Sequence, residues 1–269
     1  QNGPAGYSTG DGHKMGLWVG AGMQDGPFPL MLHPQAGCMF HGAFMFLNLE
    51  GERFCNEGTW VQGKSMNVMR QTDHIAWAIM DANYGEQNVK TLENGVGGGM
   101  FWDSMGGEVG DPFKPEDVTA IVDAAIQADN GSAYKADTLE ELAELVGIDA
   151  DAMKASVERY NTLVEGGVDE DFHKAAQFLI PIEPEGPFYA ARNYAMMMTV
   201  MGGLNTNCDM QVCDENDAPL PGLFNVGHMT GNMYANNYNF AIPGNCYGIN
   251  CITYGYLLGH DLADGKFDA

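Results

Sequence analysis

Apolar positions recur at helical spacing in one long block of the chain. From Pro115 onward, Val118, Ile121, Val122, Ala125 and Ile126 share one helix face, Pro115 suits the first turn, and Asn130-Gly131 supplies a stop. A second helix is expected to open at Thr138, whose hydroxyl can cap the helix while Glu141 reaches back, and to end near Gly147. A third is expected over residues 149–165, with Met153, Val157, Tyr160 and Val164 in phase and Gly166-Gly167 beyond its end. Residues 44–54 read differently: an apolar arm, a turn at Glu50-Gly51 and a returning arm predict a β-hairpin. Three helices around a hairpin predict a compact α+β module between roughly residues 30 and 195.

The remaining segments are glycine-rich or β-like. Residues 96–107 are interrupted by glycine and read as loop. Residues 194–200 predict a strand, and 211–213 and 223–226 predict two strands flanking an Asp/Asn/Pro turn, with the acidic run 214–217 solvated at its tip. Residues 248–262, apolar and rich in small side chains, predict a buried helix.

Charge narrows the partners. Acidic residues outnumber basic ones 36 to 12, a formal charge of -24, which repels phosphate backbones and anionic lipid head groups. Nucleic acid is therefore not an expected partner. The same excess fits an exported or cell-envelope bacterial protein, with an acidic cytoplasmic one as the alternative. No apolar run reaches the roughly 18 residues of a spanning helix, so no integral membrane segment is expected in the chain. The six cysteines contain no C-x-x-C pair and read as mostly buried thiols. The 18 methionines fill core gaps or form a soft wall around an aromatic ring.

Several local patterns carry weak chemical signals. Residues 58–65, GTWVQGKS, satisfy G-x-x-x-x-G-K-[ST], but no buried apolar strand precedes them, so triphosphate binding is not expected. His41, His74 and His173 have no metal-ligand spacing. Arg53 and Glu57 read as an internal salt bridge that holds a loop.

A series of short matches in chain order carries a stronger signal. They are TGDG at Thr9 to Gly12 followed by a helix and Gly20-Ala21, His33-Pro34, GERFCNE from Gly51, ADTLEELA from Ala136, and VERYN from Val157. GPFYA from Gly186, Met201-Gly202-Gly203, PGLFNVG from Pro221 and the turn from Pro243 to Gly248 complete the series. In this order they resemble the fumarate reductase and flavocytochrome c flavoproteins, a family that includes urocanate reductases and ketosteroid dehydrogenases.

That resemblance implies an FAD-binding domain interrupted by a capping domain. Residues 1–30 and 199–269 match later parts of the FAD domain, which are expected to come together, and 31–198 match the cap. The implied fold is α+β, a helical/β cap inserted in a partial α/β FAD domain that lacks its N-terminal Rossmann half. No G-x-G-x-x-G is present, since Gly95-Val96-Gly97 is followed by Met100 and Gly20-Ala21-Gly22 by Asp25. The chain by itself is accordingly expected to hold FAD weakly and to be inactive.

Functional residues follow from the resemblance position by position. Thr9, Gly10 and Asp11 would lie beside the ribityl and phosphate part of FAD, with Gly227 close by. His228 would join them where the family has an acid, and Gly244, Asn245, Cys246 and Tyr247 would line the pyrimidine edge with amides. The implied chemistry is hydride transfer between flavin and an activated C=C bond, supplied by an electron-donor protein or domain. The family's arginines and substrate histidine fall on Val61, Thr199 and about Ala241, and its proton relay on Gly37 and Phe40, so only His33 is kept as a catalytic candidate. None of these replacements can fork onto a carboxylate, which argues against fumarate. Trp60, Val61, Met198, Thr199 and Tyr238, with Tyr234 nearby, imply a larger, less charged unsaturated substrate, aromatic or polycyclic, protonated by His33 or a tyrosine. The alternative is a non-catalytic binding protein derived from the cap.

Overall fold

The run Ile75–Met80, IAWAIM, explains the first of two compact units, His33–Met196. It is apolar at every position because its strand is covered on both faces. Ala76, Ala78 and Met80 point into one core with Tyr84, Val118, Val122 and Ala125, while Trp77 and Ile79 point into another with Leu142, Val146, Met153, Val157 and Tyr160. The computed structural model describes residues 9–35, 42–93, 114–234, 238 and 245–268.

This strand, β3, pairs antiparallel with β2 (Met45–Leu47) on one side and β5 (Phe188–Val200) on the other. Ile79 lies opposite Met45 and Ala190, so the two-residue alternation keeps each face in register across the sheet. β4 (Ala133–Ala136) pairs with the start of β5, and β1 (Leu30–Gln35) also neighbours β5. Helices α3 (Tyr84–Glu93) and α4 (Pro115–Gln127) cover one face of the sheet; α5 (Leu139–Val146) and α6 (Ala150–Gly166) cover the other.

The three helices read from periodicity all form. Val118, Val122 and Ala125 are the buried stripe of α4. At the start of α5 the Thr138 hydroxyl accepts from Glu141 N–H at 3.2 Å, and the Glu141 carboxylate accepts from Asp137 N–H at 3.2 Å, one residue before the position the capping box anticipates. Asp149 caps α6, and Gly147 and Gly167 close α5 and α6 in the left-handed region. The hairpin differs in one respect. Its turn forms, with Asn48 N–H donating to Glu52 O and Gly51 at φ +80°, but the returning arm makes a single bridge, and β2 takes β3 as its partner strand. The stretch 96–107 lies outside the described residues.

The second unit comprises Gln1–Leu32 and Met197–Ala269. Its centre is Leu204, where three extended segments meet: Met23 bridges Leu204 antiparallel, and Leu204 bridges Thr230 parallel. Helix α1 (Asp11–Trp18) packs there through glycines, because a Cβ on Gly16 would lie 2.4 Å from Leu204 Cδ1 and one on Gly12 2.3 Å from Met229 Sδ. Strands β6 (Gln211–Cys213) and β7 (Pro219–Phe224) form a hairpin whose tip is tied by Asp214, which accepts from the amides of Asn216 and Ala218.

The final helical segment departs from expectation. A π-helix, Asn245–Thr253, runs into α7 (Tyr254–Ala263), but Tyr247, Ile252, Tyr256, Leu257 and Leu262 are exposed, and Leu258 is the one buried side chain of α7. An apolar composition anticipates burial only if a covering surface exists, and the described residues supply none for this face.

Candidate flavin-facing site

Two helix starts and one left-handed glycine gather the expected cofactor residues in the second unit. Gly10 caps α1 at φ +72° with open space where a Cβ would sit. The first helical bond of α1 runs from Lys14 N–H to Gly10 O, so the amides of Asp11, Gly12 and His13 have no acceptor within the helix. Thr9 Oγ1 donates to Asp11 at 2.7 Å, and this bond, with Lys14 at 3.2 Å, holds the Asp11 carboxyl below its ordinary pKa.

Gly227, at φ +88°, is fixed by Asn250. Its N–H donates to Asn250 O at 2.9 Å and its carbonyl accepts from Asn250 Nδ2 at 3.0 Å. Asn250 was not anticipated, and its separation of 23 residues from Gly227 gives no local signal. The next residue, His228, places Nε2 2.8 Å from Cys246 Sγ, and burial pushes its pKa down. Burial also pushes the Cys246 thiol up to about 11. Tyr238 hydrogen-bonds Cys246, and Tyr234 meets the Tyr238 ring edge-on at 5.0 Å. Met31, Met201, Tyr238 and Cys246 make one buried cluster.

The remaining expected residues divide. Tyr247 is exposed, with its ring 5.2 Å from that of His228. For Asn245 only the backbone, in the π-helix, is described, and Gly244 lies outside the described residues. Likewise His33 and Met198 are placed only as backbone in β1 and β5, while Gly37, Phe40 and Ala241 fall outside. Thr199 is half-buried in β5, and Trp60 is the N-cap of α2 (Val61–Val68). Val61 opens α2 and is buried in the first unit.

The GTWVQGKS segment is no phosphate cradle. Lys64 is buried and donates to Gly42 O at 3.0 Å, and Ser65 donates to Val61 O at 2.7 Å, so both side chains are spent on local backbone. Arg53 and Glu57 do form the internal pair, at 2.8 Å, and are joined by Asp169 at 2.6 Å and by Lys174, which lies 3.3 Å from Glu57. Burial pushes Glu57 and Asp169 up, yet Lys174 and Arg53 outweigh it, and both carboxyls end below their ordinary range. No group of His, Cys, Asp and Glu among the described residues has the arrangement of a metal site.

FAD needs donors for its phosphates and for the pyrimidine edge that gains charge on reduction. The open Gly10 start of α1 and the start of the π-helix offer amides of that kind. Thr230 Oγ1, Asn250 Oδ1 and the Tyr234 hydroxyl are buried without a hydrogen-bond partner among the described residues. Such orphans are what a polar ligand leaves behind. The donor set fits FAD.

Comparison with known proteins decides the family. The FAD binding domain family matches residues 2–242. The chain belongs to this family of fumarate reductase-like flavoproteins. It is 28% identical over 204 residues to a vinyl phenol reductase of Lactiplantibacillus plantarum, covering 76% of this chain and 40% of that protein. It is 28% identical over 268 residues to a urocanate reductase of Eggerthella lenta, covering 95% and 39%. The chain thus spans about two-fifths of the length of these curated relatives. Among solved structures, a 3-ketosteroid delta1-dehydrogenase from Sterolibacterium denitrificans in complex with 1,4-androstadiene-3,17-dione shares the fold at a TM-score of 0.69 and 22% identity, over 96% of this chain and 47% of that one. A flavocytochrome c3 fumarate reductase matches at 0.56 and 24%, over 95% and 40%. The mixed helix and strand content agrees with the α+β reading, and no described helix is long and apolar enough to cross a membrane.

Proposed function

We propose that the protein of which this chain is a part transfers hydride between FAD and an activated C=C bond of an unsaturated organic substrate other than fumarate. The observation that carries this reading is the union of residues 9–32 and 197–268 in one unit, with α1, Gly227-His228 and the π-helix start all belonging to it. In this reading 1–30 and 199–269 are FAD-domain segments and 31–198 is the cap. The relatives named for vinyl phenol and urocanate reduction support the reaction class.

When bound, FAD supplies the hydride. The chain's own residues do the rest: amides at Gly10 to Asp11 and Asn245 to Tyr247 hold the cofactor, and Asn250 keeps Gly227 in the conformation that lets the backbone approach it. Val61 and about Ala241 stand where the family has arginines and Thr199 where it has a histidine, so a carboxylate lacks its preferred partner.

The test uses the full-length protein. An absorbance scan should show bound flavin, and reduced dye should be oxidised by enones or phenylpropanoids and little by fumarate. A colourless protein that added FAD does not turn yellow would overturn the flavoenzyme reading. Fumarate turnover equal to that of the best enone would overturn the substrate reading.

A further inference from the structure

Three hydrogen-bonding groups stand in a row in the second unit, and their order fixes a proton. Tyr238 is 2% exposed and bonds the Cys246 thiol, which is 4% exposed and lies 2.8 Å from His228 Nε2. A phenol and a thiol each have one proton to give, and a neutral imidazole has one donor and one acceptor nitrogen. With Tyr238 donating to the sulfur, the thiol hydrogen has His228 Nε2 as its acceptor. An accepting Nε2 carries no hydrogen, so the ring proton sits on Nδ1.

The opposite polarity is costlier. It would aim Nε2–H at the sulfur and turn the thiol hydrogen, a weak donor, toward the Tyr238 oxygen, so that the phenol hydrogen, the stronger donor, no longer serves the row. Burial also keeps the ring below its ordinary pKa, which favours the neutral form near neutral pH. Nδ1 has no partner among the described residues, the ring is half-buried, and it follows directly on the left-handed Gly227.

We propose that Cys246 locks His228 in its Nδ1–H tautomer and that this N–H donates to a ribityl hydroxyl oxygen of the flavin cofactor. The inference rests on the FAD reading above and deepens it. The family's acid at this position can only accept when ionised, so His228 reverses the direction of the bond and removes a negative charge from the cofactor's surroundings. Cys246 is a positioning residue here, and His228 is the contact.

The tautomer is read first, without flavin, by nitrogen-15 NMR of histidine-labelled protein. The wild type is expected to show Nδ1–H, Cys246→Ala to lose that preference, and Cys246→Ser to restore it, since a serine hydroxyl donates in the same direction. FAD affinity is read next, by fluorescence titration of the full-length protein. His228→Ala is expected to bind about tenfold more weakly, the scale of one lost hydrogen bond, and Cys246→Ser to stay closer to wild type than Cys246→Ala. An Nε2–H or doubly protonated ring in the wild type overturns the proposal. So does an unchanged FAD affinity in His228→Ala, which leaves the flavoenzyme reading standing. If no variant and no wild type binds FAD while the tautomer pattern holds, the flavin contact falls together with the flavoenzyme reading, and NMR separates that failure from a failure of the lock.

Discussion

Lys64 is a buried cation that the fold tolerates at a cost, and Lys64→Met should show the size of that cost. Its ammonium has one hydrogen-bond acceptor among the described residues, Gly42 O at 3.0 Å, and it shares its surroundings with Lys174, Glu57 and Cys55. The neighbourhood holds three cations, Arg53, Lys64 and Lys174, against two carboxylates, Glu57 and Asp169. Burial pushes the Lys64 pKa down to about 8, whereas the unfolded chain titrates near the ordinary value of about 10.4. Below pH 8 both states are charged, and the folded state bears the whole penalty, about 3 kcal/mol. Between the two values the unfolded chain binds more protons, so stability rises with pH and the penalty fades above about pH 10. A methionine of similar length removes the penalty and forgoes the bond to Gly42 O, which is worth about 1 kcal/mol. The expected net is a gain of about 2 kcal/mol at pH 7 that shrinks steadily toward pH 10. Urea unfolding at several pH values, followed through the buried Trp77 of the same unit, measures it. A variant less stable than wild type at pH 7, or a gain independent of pH, would refute the reasoning.

Two further outcomes are expected. Glu57→Gln leaves Arg53 and Lys174 with one charge fewer to face and should cost about 3–5 kcal/mol; in the wild type the Glu57 and Asp169 carboxyls lie below their ordinary pKa, so the stability they lend is complete above about pH 5 and is lost as the solution is acidified. A loss under about 1 kcal/mol in urea unfolding at pH 7 would contradict this. Gly231→Ala places a Cβ 2.4 Å from Leu204 O, a backbone atom that cannot swing aside, so hydrogen exchange at Leu204 and its bridged neighbours should accelerate, with a destabilisation of about 1–3 kcal/mol. Unchanged exchange there would mean that the three segments adjust at no cost.

How much of this was legible depends on how local each signal is. The stop at Gly147, the cap at Thr138 and the stripe Val118–Val122–Ala125 involve residues within a turn or two of one another, and all of them form. β3 was missed because a strand covered on both faces shows no alternation of apolar and polar positions. The Arg53–Glu57 pair was legible at a spacing of four; Asp169, 116 residues away, was not. In the flavin-facing site the same division holds. Gly10 and Gly227 carry their meaning in their own backbone angles, whereas the Tyr238, Cys246 and His228 chain is assembled from side chains 8 and 18 residues apart.

The exposed face of the final helices shows where composition alone misleads. Residues 248–262 are apolar enough to be read as buried, yet Ile252 and Tyr256 are 70% and 65% exposed. The residues that do matter to the site on that segment are polar or thiol: Cys246, which bonds His228, and Asn250, which holds Gly227. Both sit on the side of the π-helix that faces the left-handed glycine, and the wider π turn brings Cys251 within 3.4 Å of the Cys246 carbonyl. The segment is therefore better understood as a frame for one glycine and one imidazole than as a core helix, which is why altering Cys246 or Asn250 should disturb the cofactor contact while the exposed apolar positions tolerate change within about 0.5 kcal/mol.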